Sequence, residues 1–529
     1  MARSLRSSRR IGLRSLLLVF LLVVRLNAAT EDDPTVRGDT ALDNADYAAA
    51  VAAYTEGIAR DPKNARIFVA RASAYDQLGE TEKALADAEA AIKLDPKNAD
   101  AWVARGWAKY PKQPYAESIA DLTKAAQLNP KLARAWNSRA RVLCDDNRPN
   151  EAISDANKAI ELAPDYADAF ATRGSALYQK GEYRKAIADL SAAIGFSSKT
   201  WRAYRTRNRI WSFWNEKSRA LEDAEQLVKL DPKNYGSYLI RAYSKEENGD
   251  YPGALADLDE ARQRDETIAE IYREKAFCFW RMGKLAEAIP EASRAIQLQQ
   301  KFWQAYEVRG LVLLDQEKDS PAIADLSMAI RLNPDASQSL AGRARAYYHQ
   351  TRLKEALADC DAALKIDPES FEGRAVRGDT YRALGQLEKA KADFRALGKA
   401  KAETPGDYLR RAISRWGEED FDAAIADASK ALEDPATAAP AARLRSAIYR
   451  KKEKRDLALQ DADRSVELAP NDAVSYQHRA SIYSWLGRFP EGAQDAKKAV
   501  DLMPDNSSCG SIIPMPFRGW VIMPAPSAR

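Results

Sequence analysis

A spacing of 34 residues organises this chain. The prolines of helix-ending turns recur at separations that are multiples of 34: Pro62, Pro96, Pro130, Pro164, Pro232, Pro334, Pro368, Pro470 and Pro504. Where the proline is missing, near residues 198, 266, 300 and 402, the flanking pattern stays in step, and near Pro435 it slips by one residue and recovers. A unit of this size cannot bury its own apolar face, so the period predicts a stack of about fourteen units over residues 30–506.

Each unit repeats the same internal pattern. Phe170 precedes the small Gly174 by one helical turn, and Gly181 follows in the short connection QKGEY, where glycine accepts a positive φ. Apolar and small positions then recur at helical spacing, at Ala186, Leu190 and Ala193. The pattern predicts two antiparallel helices joined by a tight turn.

The period and the placement of the aromatic, small, alanine and proline positions resemble the tetratricopeptide repeat family. The resemblance covers about 90% of the chain. It implies an all-α fold, namely an α-solenoid in which about fourteen helix-turn-helix units form a right-handed superhelix. It also implies that the first helices line a concave groove.

A cation stands directly before the small residue of every unit, where the family usually has an apolar residue. These cations are Arg37, Arg71, Arg105, Arg139, Arg173, Arg207, Arg241, Lys275, Arg309, Arg343, Arg377, Arg411, Arg445 and Arg479. Sixteen residues later, all units but the first have an acid: Asp87, Asp121, Asp155, Asp189, Asp223, Asp257, Glu291, Asp325, Asp359, Asp393, Asp427, Asp461 and Asp495.

We interpret these residues as a structural ion-pair ladder. A comb of cations that binds an anionic ligand is the alternative, but it would not need a matching acid in nearly every unit. Lys275 and Glu291 change together, which indicates partners within one unit. The acid of the preceding unit, eighteen residues back, stays open as the partner.

The sequence offers little for catalysis or metal binding. The two histidines, His349 and His478, lie in different units, so they form no metal cluster or His-based triad. The four cysteines show no C-x-x-C spacing, and we expect buried thiols. There is no phosphate-binding glycine loop, and the carboxylates recur with the repeat. We predict no enzyme, no cofactor and no metal site.

The N-terminus resembles a secretory signal peptide. A basic start precedes an unbroken apolar run from Leu16 to Val24, and the small residues Ala28 and Ala29 follow. This run falls short of the ~20 residues that span a bilayer. We expect residues 1–29 to be cleaved, which leaves a periplasmic or secreted protein with no membrane span. An uncleaved N-terminal signal anchor that tethers the chain to the membrane is the alternative.

The charge balance gives no global case for nucleic acid or an anionic membrane as partner. The chain has 81 Lys and Arg residues and 77 Asp and Glu residues, and removal of the six leader arginines leaves 75 basic residues. The mature protein is therefore close to neutral.

The C-terminal segment, residues 507–529, is too short for a further domain. Its four prolines exclude a regular helix, whereas its apolar residues suit packing against the end of the array. We expect an extended cap or a disordered tail, with a docking peptide as the alternative.

The stretch WRAYRTRNRIWSFW holds the densest candidate binding residues. Arg202, Arg205 and Arg209 follow one helical face of this stretch. Comparable groove positions carry further cations and aromatic residues: Arg134, Arg141, Trp107, Tyr110, Tyr178 and Trp280. Guanidinium groups beside aromatic rings suit the carboxylate terminus or the acidic side chains of an extended peptide. A solvated helix face with partly packed aromatics is the alternative.

We therefore expect a non-enzymatic, exported scaffold that binds protein or peptide partners in the groove, and one role would be to organise a cell-envelope complex. The Lys/Asn pattern by which some family members bind a C-terminal carboxylate is not matched, so chaperone binding is not implied. A nucleic-acid-binding array is an alternative that the charge balance disfavours. A regulatory or targeting subunit of a separately encoded enzyme is the other alternative. The sequence does not predict the oligomeric state.

Overall fold

The computed structural model describes residues 33–111, 114–399, 402 and 404–502. Within these residues every regular element is an α-helix, and the helices form fourteen consecutive pairs. The prediction of an all-α α-solenoid is confirmed. The predicted leader, residues 1–29, and the C-terminal segment, residues 507–529, lie outside the described residues.

The helices belong to two compact units, divided between Asp231 and Pro232. The first unit contains α1 Pro34–Asp43, α2 Tyr47–Arg60, α3 Ala65–Gln77, α4 Thr81–Leu94, α5 Ala99–Lys109, α6 Ala116–Leu128, α7 Ala133–Asp145, α8 Pro149–Leu162, α9 Ala167–Gln179, α10 Tyr183–Phe196, α11 Trp201–Phe213 and α12 Lys217–Leu230.

The second unit continues the same pairing. It contains α13 Tyr235–Glu247, α14 Tyr251–Arg264, α15 Ala269–Arg281, α16 Leu285–Leu298, α17 Trp303–Asp315, α18 Asp319–Leu332, α19 Ser337–His349, α20 Leu353–Ile366, α21 Phe371–Ala383, α22 Leu387–Gly398, α23 Pro405–Gly417, α24 Phe421–Ala431, α25 Pro435–Lys451, α26 Arg455–Leu468, α27 Ala473–Trp485 and α28 Phe489–Leu502. In both units each odd-numbered helix packs most extensively against the even-numbered helix that follows it.

The turn within each pair depends on one residue with left-handed backbone. Gly181 has φ 75°, as the sequence pattern predicts. The equivalent residue has a positive φ in every pair whose turn is described, yet it is Asn147 (φ 56°) or Thr351 (φ 58°) in other pairs. The packing of the two helices therefore enforces the turn even where the residue is not glycine.

The two helices of a pair approach closely at the small residue of the first helix. A Cβ atom placed on Gly174 would lie 2.7 Å from Leu190 Cγ and 3.2 Å from the carbonyl oxygen of Ala186. Leu190 is fully buried and occupies the space that the missing side chain leaves. Gly174 is therefore required by contact with its own partner helix.

The sizes of the two facing residues compensate each other along the array. Glycine faces a large side chain in the pairs Gly106 and Leu122, Gly174 and Leu190, Gly310 and Leu326, and Gly378 and Phe394. Alanine faces a small side chain in the pairs Ala140 and Ala156, Ala276 and Ala292, Ala344 and Cys360, and Ala412 and Ala428. Ala242 and Leu258 depart from this pattern. A large second-helix side chain thus fills the space where the first-helix residue is glycine, as close packing requires.

The ladder arginines form hydrogen-bonded ion pairs with the second helix of their own pair. Nε and Nη2 of Arg173 donate to Oδ2 and Oδ1 of Asp189 over 2.6 and 2.7 Å. The same two-point contact, sixteen residues apart, is made by Arg71, Arg105, Arg139, Arg207, Arg241, Arg309, Arg343, Arg377, Arg411, Arg445 and Arg479. Lys275 Nζ likewise lies 2.9 Å from Glu291 Oε1.

The remaining guanidinium nitrogen reaches the preceding pair. Arg173 Nη1 donates to Asn157 Oδ1, sixteen residues back in α8, over 2.7 Å. Lys275 Nζ makes the comparable contact, 3.1 Å, with Asp259 Oδ1 in α14. The preceding pair therefore contributes the residue sixteen positions back and not the acid eighteen positions back that the sequence left open. Each such cation joins three helices.

Loss of one ladder partner should be costly, because it leaves the other buried without a counter-charge. We predict that Arg173→Met lowers the free energy of unfolding by ~3–5 kcal/mol and that adding Asp189→Leu recovers most of the loss. Urea unfolding of both single variants and the double variant would measure the coupling. Additive single effects would contradict a structural role for the pair.

The size compensation should also be measurable. We predict that Gly174→Ala costs ~1–3 kcal/mol, because the new methyl group overlaps Leu190. In a Leu190→Ala background, which matches the natural pair Ala140 and Ala156, the same change should cost much less. Gly195→Ala is the control: an added Cβ there meets no atom within 4 Å, so helix propensity alone should raise stability by ~0.5–1 kcal/mol. An equal cost of Gly174→Ala in both backgrounds would contradict the compensation.

Candidate functional site

A cleft of about 580 Å³ lies along the first helices of the first unit. It extends from Leu42 to Arg202 and is lined by residues of α1, α2, α3, α5, α7, α9 and α11. Five of the predicted groove residues line it: Trp107, Tyr110, Arg134, Arg141 and Arg202. Arg134 and Arg202, which lie two 34-residue repeats apart in sequence, thus line the same cleft.

Arg141 lines this cleft beside two aromatic rings. Its guanidinium carbon lies 4.6 Å from the ring centre of Trp107 and 5.9 Å from that of Tyr110. Trp107 is itself fixed, because its Nε1 donates to Ser138 Oγ over 3.0 Å. Burial lowers the pKa of Arg141, and the charge of Arg202 lowers it further. Arg141 is therefore a partly desolvated cation beside a like charge.

Three further arginines follow one face of α11. Arg202, Arg205 and Arg209 stand at helical spacing, and Arg209 lies 5.2 Å from the ring centre of Tyr178. The surrounding protein lowers the pKa of Arg205, and Arg202 and Arg209 lower it further. We refer to the four unpaired cations as the arginine cluster: Arg141, Arg202, Arg205 and Arg209.

Within the residues that the structure describes, no carboxylate forms a salt bridge with a member of the arginine cluster. The members contact aromatic rings instead, at 4.6 Å for Arg141 and 5.2 to 5.6 Å for the other three. Three acids lie near Arg141 without forming a salt bridge to it. Asp76 and Asp168 line the cleft, and the Asp145 carboxylate accepts a hydrogen bond from the Tyr110 hydroxyl. The excess of positive charge therefore lies along α11, on Arg202, Arg205 and Arg209.

Two predicted site residues have other surroundings. Arg134 lines the cleft but forms an exposed salt bridge with Asp100 of the preceding pair. Trp280 belongs to the second unit, where it is 7% exposed and its Nε1 donates to Asp315 Oδ2 over 2.6 Å. Trp280 is therefore a buried packing residue and not part of an open groove surface.

Asn137 is a cleft residue that sequence reasoning missed. It is 7% exposed, its Nδ2 lies 3.3 Å from the Tyr166 hydroxyl, and its Oδ1 has no hydrogen-bond partner among the described residues. The equivalent positions in the neighbouring pairs are the apolar Val103 and Ala171. The sequence could have indicated Asn137 as a cleft residue, because it is polar at a repeat position where the two neighbouring repeats are apolar.

The second unit carries arginines at the same repeat positions, but there they are paired. Arg345 stands at the position of Arg141 and Arg209, and its Nη2 lies 2.9 Å from Asp315 Oδ1. Arg273 and Arg443 both stand at the repeat position of Arg205. Arg273 forms a salt bridge with Glu274, and Arg443 forms one with Asp472.

The other chemistry of the described residues is limited. They contain no group of three or more His, Cys, Asp or Glu side chains arranged to hold a metal ion. Cys144, Cys278 and Cys360 are buried free thiols, and burial raises the pKa of Cys144 to about 12. None of the described helices is both long enough and apolar enough to span a bilayer.

Comparison with known proteins agrees with the repeat architecture. Models described as tetratricopeptide repeat match residues 35–99, 69–133, 103–167, 137–200, 215–267, 320–371 and 372–401. The small glutamine-rich tetratricopeptide repeat-containing protein 2 of Saccharomyces cerevisiae is 41% identical over 64 residues, which are 12% of this chain and 18% of that protein.

Two solved structures show a distant likeness. The chain is 13% identical to one in the crystal structure of the APC/C hetero-tetramer Cut9-Hcn1, with a TM-score of 0.46 over 87% of this chain and 98% of that chain. It is 15% identical to yeast Tom70, with a TM-score of 0.37 over 77% of this chain and 97% of that chain. At these scores neither structure informs the function. The matches to the repeat models extend over more than half of the chain, which therefore belongs to the tetratricopeptide repeat family.

Proposed function

We propose that this protein is a non-enzymatic scaffold whose first unit binds an extended acidic segment of a protein partner. The repeat architecture indicates a protein–protein interaction scaffold in general terms. The arginine cluster supports the finer statement, because Arg141 and Arg202 line the cleft and Arg205 and Arg209 continue from Arg202 along one face of α11. A guanidinium group can donate two parallel hydrogen bonds to one carboxylate.

One internal comparison carries the proposal. At the repeat position of Arg202, Arg66 and Arg134 are paired with Asp39 and Asp100. At the positions of the other cluster members, Arg273, Arg345 and Arg443 are paired as well. The fold can therefore neutralise an arginine at each of these positions, and in the cluster it does not. A ligand that brings its own negative charge would complete the cluster.

Export remains part of the proposal. The leader-like residues 1–29 support a periplasmic or secreted location, where the scaffold would organise a cell-envelope complex. They equally fit a membrane tether if they are not cleaved. N-terminal sequencing of the mature protein from its native source would decide between the two.

Unpaired cations should contribute nothing to stability, whereas ladder cations should. Arg205 and Arg207 are two residues apart on α11 and make a matched pair. We predict that Arg205→Gln leaves the free energy of unfolding unchanged or raises it by up to ~0.5 kcal/mol, because it relieves repulsion. Arg207→Gln should lower it by ~3–5 kcal/mol, because Asp223 loses its partner. Comparable losses in urea unfolding would contradict an unpaired role for Arg205.

The binding role can be tested by affinity capture. A variant with Arg202→Glu, Arg205→Glu and Arg209→Glu should fail to retain a protein that the wild-type chain captures from envelope extract, as identified by mass spectrometry. A control with Lys124→Glu, Arg184→Glu and Lys229→Glu has the same change in charge on exposed second-helix positions of the same unit and should bind normally. Helicity must be equal in all three proteins.

The other outcomes of this capture bear on the alternatives. Retention of the same partner by the first variant would place binding elsewhere and contradict the proposal. Capture of RNA or DNA with a steep dependence on salt would favour the nucleic-acid-binding array, for which Arg141 on Trp107 offers a stacking surface. Enzyme activity that appears only in the captured complex would favour the regulatory subunit.

A further inference from the structure

The face of α11 that carries the arginines ends in exposed aromatic residues. Phe213 follows Arg209 by four residues, one helical turn further along the same face. Phe213 is 57% exposed, and the adjacent Trp214 is 38% exposed. The basic face thus has an apolar end.

These side chains form a continuous aromatic surface. The Tyr183 ring centre lies 5.0 Å from that of Phe213 and 6.4 Å from that of Trp214. Tyr183 also lies 5.8 Å from Tyr178, whose ring is covered by Arg209 at 5.2 Å. We refer to Tyr183, Phe213 and Trp214 as the aromatic edge. It adjoins the arginine cluster through Tyr178.

The repeat does not require aromatic residues at the positions of Phe213 and Trp214, whereas the position of Tyr183 is also aromatic at Tyr47, Tyr115, Tyr251, Phe421 and Phe489. In most other repeats the position of Phe213 is polar or charged: Asp43, Gln77, Asp145, Gln179, Glu247, Arg281, Asp315, His349 and Lys451. Trp485 is an aromatic exception. The position of Trp214 is aromatic in no other repeat: it is glutamine at Gln316 and Gln350, and apolar at Leu78, Met282, Leu384 and Leu486. Exposed aromatic side chains that packing does not need are typical of interaction surfaces.

We infer that the arginine cluster and the aromatic edge together bind a two-part segment, in which acidic residues lie close to an aromatic or large aliphatic residue. This inference rests on the proposed function and specifies the partner further. The cluster supplies the charge complement of the acids. The edge supplies an apolar anchor that covers Phe213 and Trp214.

The geometry also sets a spacing. Arg205 and Phe213 are eight residues apart on a helix with a rise of ~1.5 Å per residue, so the two subsites lie ~12 Å apart. An extended chain covers this distance in about four residues. A segment whose anchor lies much further from its acids should therefore lose the benefit of having both.

Fluorescence anisotropy with three labelled peptides would test this on the full chain. The first peptide carries a run of Asp and Glu with serine in place of the anchor. The second adds tryptophan about four residues from the acids, and it is made with the anchor on either side. The third separates the same tryptophan from the acids by a long glycine-serine spacer.

The protein variants use residues that the repeat itself has at these positions. Phe213→Gln and Trp214→Gln together remove the anchor site. Phe196→Gln is the matched control, because Phe196 is similarly exposed, at 51%, but lies in α10 outside the face. The triple change of Arg202, Arg205 and Arg209 to Glu removes the charge complement.

We expect one order of the second peptide to bind about tenfold more tightly than the first and third, in the wild-type chain and in Phe196→Gln. In the Phe213→Gln, Trp214→Gln variant all peptides should bind like the first. Equal binding of the first and second peptides by the wild-type chain would overturn this inference and leave the proposed function intact. A tighter second peptide that is unaffected by loss of Phe213 and Trp214 would also overturn it.

Failure of the proposed function itself would look different. No binding of any peptide, or binding that the change of Arg202, Arg205 and Arg209 to Glu leaves unaltered, would overturn both the acidic partner and its two-part extension.

Discussion

The array depends on a guanidinium group that holds three helices at once. At the crossings the first helix contributes glycine or alanine, so the two backbones approach closely, and in several pairs a large side chain of the second helix such as Leu190 fills the remaining space. Apolar burial of this kind is not directional, so directional contacts are needed as well to fix the register. Arg173 supplies them, with two donors on Asp189 and a third on Asn157 of the preceding pair. Arginine suits this role because its donors diverge in one plane.

Because the ladder arginines hold the helices together, the residues on the cleft-facing side of the first helix can differ from repeat to repeat. Arg207, on the same helix as the cluster, is bound by Asp223 through the contact that almost every pair repeats. Arg205 and Arg209 flank it in sequence but make no such contact with the second helix. Residues that keep the period of the repeat therefore hold the fold, and residues that break the period carry what is specific to this protein. Phe213 and Asn137 break it in the same way.

Local pattern predicted much of this structure. Four features depend on contacts within one 34-residue repeat, where the spacing in sequence sets the distance in space. They are the period, the helix pairs, the turn at Gly181 and the pairing of Arg173 with Asp189. Contacts between pairs were harder, because they depend on how successive pairs stack. The salt bridge of Arg134 with Asp100, one repeat away, removed that residue from the unpaired cations. The sequence did not predict the burial of Trp280 beside Asp315, because this contact also joins successive pairs.

The members of the arginine cluster should not contribute to binding in the same way. Arg205 and Arg209 are exposed, and at physiological ionic strength charges in water are screened over ~8 Å. In the proposed binding they would contribute mainly to the rate of encounter with an acidic segment, and this rate falls as salt rises. Arg141 is partly desolvated between Trp107 and Tyr110, so a hydrogen bond that it donates is screened less. In the proposed complex Arg141 would contribute to the lifetime, which is where most differences in affinity between related complexes arise.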